Sequence, residues 1–157
     1  MLTQLQIDRQ TGETPMLQGT LIHPEILEAL GRAGHGSQVL IADGNYPFST
    51  GSNRRAAHVF LNLSPGLLSV TDVLRVLASA IPIEAAAVMI PNDGPEPPIF
   101  GEFRQLLPPA IDLEPIDRFG FYDAARGSNL ALVIATGEQR VYANILLTIG
   151  VIPPPAS

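Results

Sequence analysis

The chain has 157 residues, is 46% hydrophobic and only 15% charged, where soluble domains average about 25% charged. Its net charge of −6 and pI near 4.9 leave no basic footprint for nucleic acid. All nine of its cationic side chains are arginines and it has no cysteine, which excludes Schiff-base and P-loop lysines, thiol nucleophiles, disulfides and thiolate metal sites.

Residues 1–18 read as a polar lead-in, turn-rich at Thr11-Gly12-Glu13-Thr14-Pro15 and without the apolar run of a signal peptide. His23-Pro24-Glu25 opens a helix, with proline at the first helical position. Ile26, Leu27, Leu30 and Ala33 form its apolar stripe and Gly34 its stop. Val39 to Ala42 is a continuous apolar run, as in a strand covered on both faces, and it ends on Asp43. Gly44 to Ala56 is a polar loop, and His58 to Leu63 predicts a second strand. Ser69 or Thr71 caps a helix reaching Ala80, with Val70, Val73, Leu74 and Leu77 inward. Ile83 to Ile90 is another buried strand.

Four prolines between Pro91 and Pro98 force a loop. Phe100 to Leu107 predicts a short helix, and Leu113 to Ile116 a weak strand. Asp117 caps a helix to about Arg126, with Gly127 at its end. Leu130 to Ala135 is a strong strand, Thr136-Gly137-Glu138 a turn, and Val141 to Val151 the last strand. Strands alternating with helices predict one compact α/β domain over residues 19–152, with a mixed, largely parallel sheet flanked by helices and a short tail at 153–157. No stretch is long and apolar enough to span a bilayer, so a cytoplasmic protein is expected. With a mean hydropathy of +0.23 the chain is short of polar residues to cover its surface, which predicts apolar faces buried between subunits.

The three histidines, at 23, 35 and 58, have no metal-ligand spacing, so no zinc site is expected. His35 stands between Gly34 and Gly36. Locally it reads either as a solvated loop residue or as a proton carrier whose ordinary pKa suits neutral pH. Gly31 to Gly36 has the glycines of a phosphate loop, but it follows a helix and precedes a strand, which is the wrong order. Asp43, just past a strand's carboxyl end, either closes the Asp43-Gly44-Asn45 turn or accepts from a ligand, and it can do both. Arg118 in Arg118-Phe119-Gly120-Phe121-Tyr122 either pairs with Asp117 or Asp123 or forks onto ligand oxygens. Alternation along the last strand places Tyr142 and Asn144 on one face, where a polar ligand, a sheet edge or water must satisfy them.

The order of these groups resembles the RbsD/FucU family of sugar mutarotases and pyranases. The resemblance rests on Gly34-His35-Gly36, Asp43 with Pro47 after it, Arg118 to Tyr122, Thr136-Gly137-Glu138, and Tyr142-Ala143-Asn144-Ile145-Leu146-Leu147. It runs from Leu21 to Val151, and the Arg-Phe-Gly-Phe-Tyr and Thr-Gly-Glu stretches lie nearer the L-fucose mutarotase branch than the D-ribose pyranase branch. The chain departs from the family at Arg54 to Leu63, where His58 replaces an expected acidic residue, and in the Pro91 to Pro98 loop.

The resemblance implies a ring-like homo-oligomer, often a decamer, with monosaccharide sites near subunit boundaries and no cofactor. By position it implies His35 as the proton donor and Asp43, Arg118, Tyr142 and Asn144 as sugar-binding residues, with Tyr142 also the expected second proton carrier. The expected reaction is ring opening and reclosure of a reducing sugar, most readily L-fucose. The alternatives are pyranose–furanose exchange of D-ribose, another cofactor-free isomerase or lyase, a non-catalytic sugar-binding accessory of uptake, and a purely structural oligomer.

Overall fold

The computed structural model describes residues 16–156; the turn-rich stretch from Thr11 to Pro15 and the rest of the lead-in before Met16 lie outside them. In chain order the elements are α1 (Pro24–Arg32), β1 (Gln38–Ala42), β2 (Ala57–Phe60), α2 (Val70–Ala80), β3 (Ile83–Met89), α3 (Ile99–Leu106), β4 (Leu113–Ile116), α4 (Arg118–Ala125), β5 (Leu130–Ala135) and β6 (Ile145–Ile149). The strands form one six-stranded sheet in the order β2-β5-β1-β6-β3-β4. β5 runs parallel to both β1 and β2, and β3 parallel to β4, while β6 is antiparallel to β1 and β3. The sheet is therefore mixed and largely parallel, as the alternation of elements predicts.

Side chains alternate across the strands and divide the core in two. Val39, Ile41, Leu132, Ile134, Ile145 and Leu147 face α1, α2 and α3, and Phe100 and Phe103 fill that layer. Leu40, Ala42, Val133, Met89 and Leu146 point the other way, to Phe121 and Ala125 of α4 and to Tyr46 and Ala56 of the loop after β1. Burying each of the three phenylalanines contributes up to about 3 kcal/mol, so α4 and the 43–56 loop together close a second apolar layer.

The helix caps follow the sequence closely. Ser69, rather than Thr71, closes a capping box with Asp72 on α2, and the Asp117 carboxylate accepts the Gly120 N–H at 2.6 Å. His23 caps α1 through its ring nitrogen. Of the expected stripe of α1, Ile26 is buried and Leu30 and Ala33 pack against the core, while Leu27 is exposed and Ala29 is buried in its place. An eight- or nine-residue helix leaves that choice to tertiary packing.

Two strands are shorter than predicted. β2 stops at Phe60, and β6 begins only at Ile145. Val141 and Tyr142 form a turn, with Tyr142 at φ 57°, and Ala143 and Asn144 precede the strand, so the alternation that placed Tyr142 and Asn144 on one strand face does not apply.

Candidate functional site

The chain leaves β1 toward β2 on one side of the sheet and leaves β3 toward β4 on the other. Where two such connections diverge, the carboxyl ends of the strands open a crevice. Here that crevice holds Asp43 after β1, Met89 at the end of β3, Asn144 before β6 and Arg118 at the start of α4. With Asn45, Tyr46, Tyr122, Val141 and Tyr142, they line a cavity of about 280 Å³. That is near the lower end of the roughly 300–1,000 Å³ typical of small-molecule sites, a size suited to a single sugar ring.

Asp43 is 3% exposed. Its Oδ1 accepts the Asn45 N–H at 3.0 Å, closing the Asp-Gly-Asn turn. Its Oδ2 accepts the Ala143 N–H at 3.3 Å and the Asn144 side-chain amide at 3.1 Å. The Asn144 Oδ1 accepts the Asp43 N–H in return, at 2.7 Å. Burial pushes the Asp43 carboxyl above its ordinary range, and these donors hold back only part of the rise. Asp43 and Asn144 thus lock the end of β1 to the start of β6 and present a fixed, acceptor-rich wall to the cavity.

Arg118 pairs with neither Asp117 nor Asp123. Its guanidinium lies 4.8 Å from the centre of the exposed Phe119 ring, and Asp123 is bound by Arg126 instead. Tyr46 and Tyr122 meet edge-to-face at 5.4 Å. The Tyr46 hydroxyl donates to the Gly51 carbonyl at 2.5 Å, and burial raises its pKa well above the ordinary phenol value. Tyr46 and Met89 carry no motif in the sequence; the position of Tyr46, three residues past Asp43, is the only hint of its place in the wall.

Four of the five residues singled out in the sequence therefore meet at one cavity. The fifth does not. His35 lies before the amino end of β1, where Gly36, at φ 84°, donates its N–H to the Ile149 carbonyl. The five residues of β1 separate it from Asp43, a span of about 16 Å at a strand's rise per residue. Its Nε2 sits 2.9 and 3.1 Å from the Glu84 carboxylate, with the two side chains 59% and 44% exposed.

His58 does not line the cavity either. Its ring nitrogens contact the Ala56 carbonyl at 2.8 Å and the Ser52 hydroxyl at 3.0 Å, fastening the 44–56 loop to β2. Among the described residues no cluster of three His, Asp or Glu side chains is placed to hold a metal ion, and no helix is long and apolar enough to cross a membrane.

Comparison with known proteins gives this arrangement a family. The pattern of the RbsD / FucU transport protein family matches residues 16–152. The fucose mutarotase of Danio rerio is 32% identical over 147 residues, covering 86% of this chain and 92% of that protein. FucU from Bifidobacterium longum superposes with a TM-score of 0.71 at 31% identity, covering 84% of this chain and 96% of that one. The fucose mutarotase of Streptococcus pneumoniae, solved in complex with L-fucose, superposes with a TM-score of 0.72 at 25% identity over 84% of this chain and 95% of that one. This chain, with its mixed sheet and its Asp43–Asn144 cavity at the diverging strand ends, belongs to the RbsD/FucU family.

Proposed function

We propose that the protein is an L-fucose mutarotase, an isomerase that interconverts the anomers of the sugar by opening and reclosing its ring. The observation that carries this reading is the cavity itself: a sugar-sized recess in a chain of this family, walled by a buried carboxylate, an arginine and three tyrosines. The mutarotase name of the Danio rerio relative and the L-fucose held by the Streptococcus pneumoniae enzyme support the substrate.

In the reaction, a base takes the proton of the anomeric hydroxyl while an acid protonates the ring oxygen. The aldehyde carbon then rotates, and closure on its other face gives the second anomer. Each positioned proton carrier contributes on the order of 10²–10⁴-fold, which suffices for a reaction that already runs in water. Asp43 and Arg118 are placed to hold sugar hydroxyls and Asn144 to keep Asp43 oriented. Of the groups lining the cavity, the Tyr142 phenol serves as one proton carrier.

His35 is the other proton carrier in this reading, and within one chain it stands at the far end of β1. A second copy must bring it, amino edge of one sheet to carboxyl edge of the next. Exposed apolar side chains at both edges, Phe119 and Val141 beside the cavity and Val151 and Ile152 just past β6, are suited to such a contact. The site is then shared between copies of a homo-oligomer.

Saturation-transfer NMR on L-fucose tests the reading. The wild-type protein should exchange the anomers, while His35→Ala and Asp43→Asn should each lose at least about 100-fold. Mixing the two variants and letting copies exchange should restore about a quarter of the activity, because one interface in four then combines an intact His35 with an intact Asp43. Exchange unchanged in His35→Ala would remove the histidine from the mechanism. No rescue on mixing would place both groups in one chain. Fucose binding without anomer exchange in the wild type would leave a sugar-binding protein.

A further inference from the structure

The segment after β5 carries a charged cluster that the cavity does not contain. Glu138 is 5% exposed, and its carboxylate is ringed by donors. The Val70 N–H at the start of α2 lies at 3.2 Å, the Arg140 N–H at 3.1 Å, and the Arg140 Nε and Nη2 at 3.0 and 2.9 Å. This is a two-pronged guanidinium–carboxylate pair, the most directional ion pair available to side chains. The same guanidinium reaches out of the loop through Nη1, which bonds Glu102 on α3, and Nη2 lies 3.4 Å from the Thr71 hydroxyl on α2. One arginine therefore ties this loop to two helices.

The cluster is also bonded to the cavity wall. The Glu138 carbonyl accepts the N–H of Gly44, the residue after Asp43, at 2.8 Å. The Thr136 hydroxyl donates to the Ala42 carbonyl, before Asp43, at 2.7 Å. Two residues past Arg140 comes Tyr142, whose φ of 57° is unfavourable for any residue with a side chain. A residue stays in that region only where its surroundings over-determine it. On its downstream side Ala143 and Asn144 are bonded to Asp43. On its upstream side the fixed point is Arg140.

We infer that Arg140, gripped by Glu138 and Glu102, is a positioning residue that fixes the turn in which Tyr142 lines the Asp43 cavity, and that it acts on the reaction only through Tyr142. The kinetic part of this inference rests on the mutarotase reading; the structural part does not.

Arg140→Met keeps the aliphatic stem and removes the fork, and Arg140→Lys returns the charge without the fork. For L-fucose exchange, kcat should fall roughly 10- to 100-fold in Arg140→Met, the scale expected when a reacting group is misplaced by about 1 Å. KM should change little, and Arg140→Lys should recover only part of the loss. In a Tyr142→Phe background the same Arg140→Met change should cost less than about twofold, because its effect is already spent. An equal fall in both backgrounds overturns the inference.

The chain has only three tyrosines, so ring-labelled tyrosine spectra read the turn without any activity. The Tyr142 signal should shift or broaden in Arg140→Met while that of Tyr46 stays in place. An unmoved Tyr142 signal overturns the inference whatever the kinetics show. If the wild type exchanges no fucose, the functional reading fails by itself, and the tyrosine spectra still decide for or against the positioning role.

Discussion

The two edges of this sheet are built on opposite principles. At the carboxyl edge the polar groups are buried and paired: Asp43, Asn144, Thr136 and Glu138 are all 5% exposed or less, and each bonds a neighbour across the strand ends. At the amino edge His35 and Glu84 pair in open solvent. One edge has a rigid recess without an imidazole, and the other an imidazole without a recess. A prepaid hydrogen-bond network holds its geometry when a polar ligand arrives, which is what a binding wall needs. An exposed side chain held by one carboxylate is free to be completed by another surface.

The largest effect should come from the turn that closes the carboxyl edge. A Cβ added at Gly137 would lie 2.2 Å from the Leu67 carbonyl oxygen and 2.3 Å from that of Ser64. Both are backbone atoms and cannot swing aside. Gly137→Ala should therefore cost about 3 kcal/mol or more of unfolding free energy, measured by urea denaturation, and should loosen Glu138 and Gly44 together. A cost below about 1 kcal/mol would mean that the turn yields easily, and the contrast between the edges would weaken.

Next come the two buried carboxylates of that edge, whose pH dependences should have opposite signs. Burial holds Asp43 above its ordinary 3.8, so its charged form opposes folding at neutral pH, and that penalty is relieved as pH falls through the folded value toward 3.8. For Glu138, burial alone would raise the pKa, but Arg140 and the backbone donors outweigh it and hold it below 4.5. Its stabilisation is full above 4.5 and is lost as pH falls through the folded value. Asp43→Asn and Glu138→Gln should each cost about 1–3 kcal/mol at pH 7. On acidification the deficit of Asp43→Asn should widen and that of Glu138→Gln should narrow. Parallel curves would mean that both carboxylates are held in the same way.

The sequence predicts the fold better than the site because its signals are local. Pro24, Ser69 and Asp117 mark helix starts, and the apolar runs of β1, β3 and β5 mark a sheet covered on both faces, since each reports on its own few residues. Asp43 at a strand end and Arg118 after a capping Asp were legible for the same reason. Tyr142 and Asn144 were found by motif but set on a strand, because nothing in Val141-Tyr142-Ala143-Asn144 announces a left-handed turn held from outside by Asp43. The Glu138–Arg140 pair reaches Glu102, 38 residues before Arg140, and no spacing rule reaches that far. The separation of His35 from the cavity is likewise invisible until the direction of β1 is known.

The smallest effect, and the one that sharpens the comparison most, concerns Glu84. A contact between two side chains near half exposure contributes less than about 1 kcal/mol, so Glu84→Gln should barely change the unfolding of a separated chain. If a second copy covers this edge, water is excluded and removing one partner of the pair becomes more costly. The penalty for Glu84→Gln should then grow with protein concentration, because association and folding are linked. Denaturation curves over a wide range of concentrations read this directly. A penalty that does not change with concentration would leave the amino edge in water, and His35 would have no route to the cavity of a neighbouring copy.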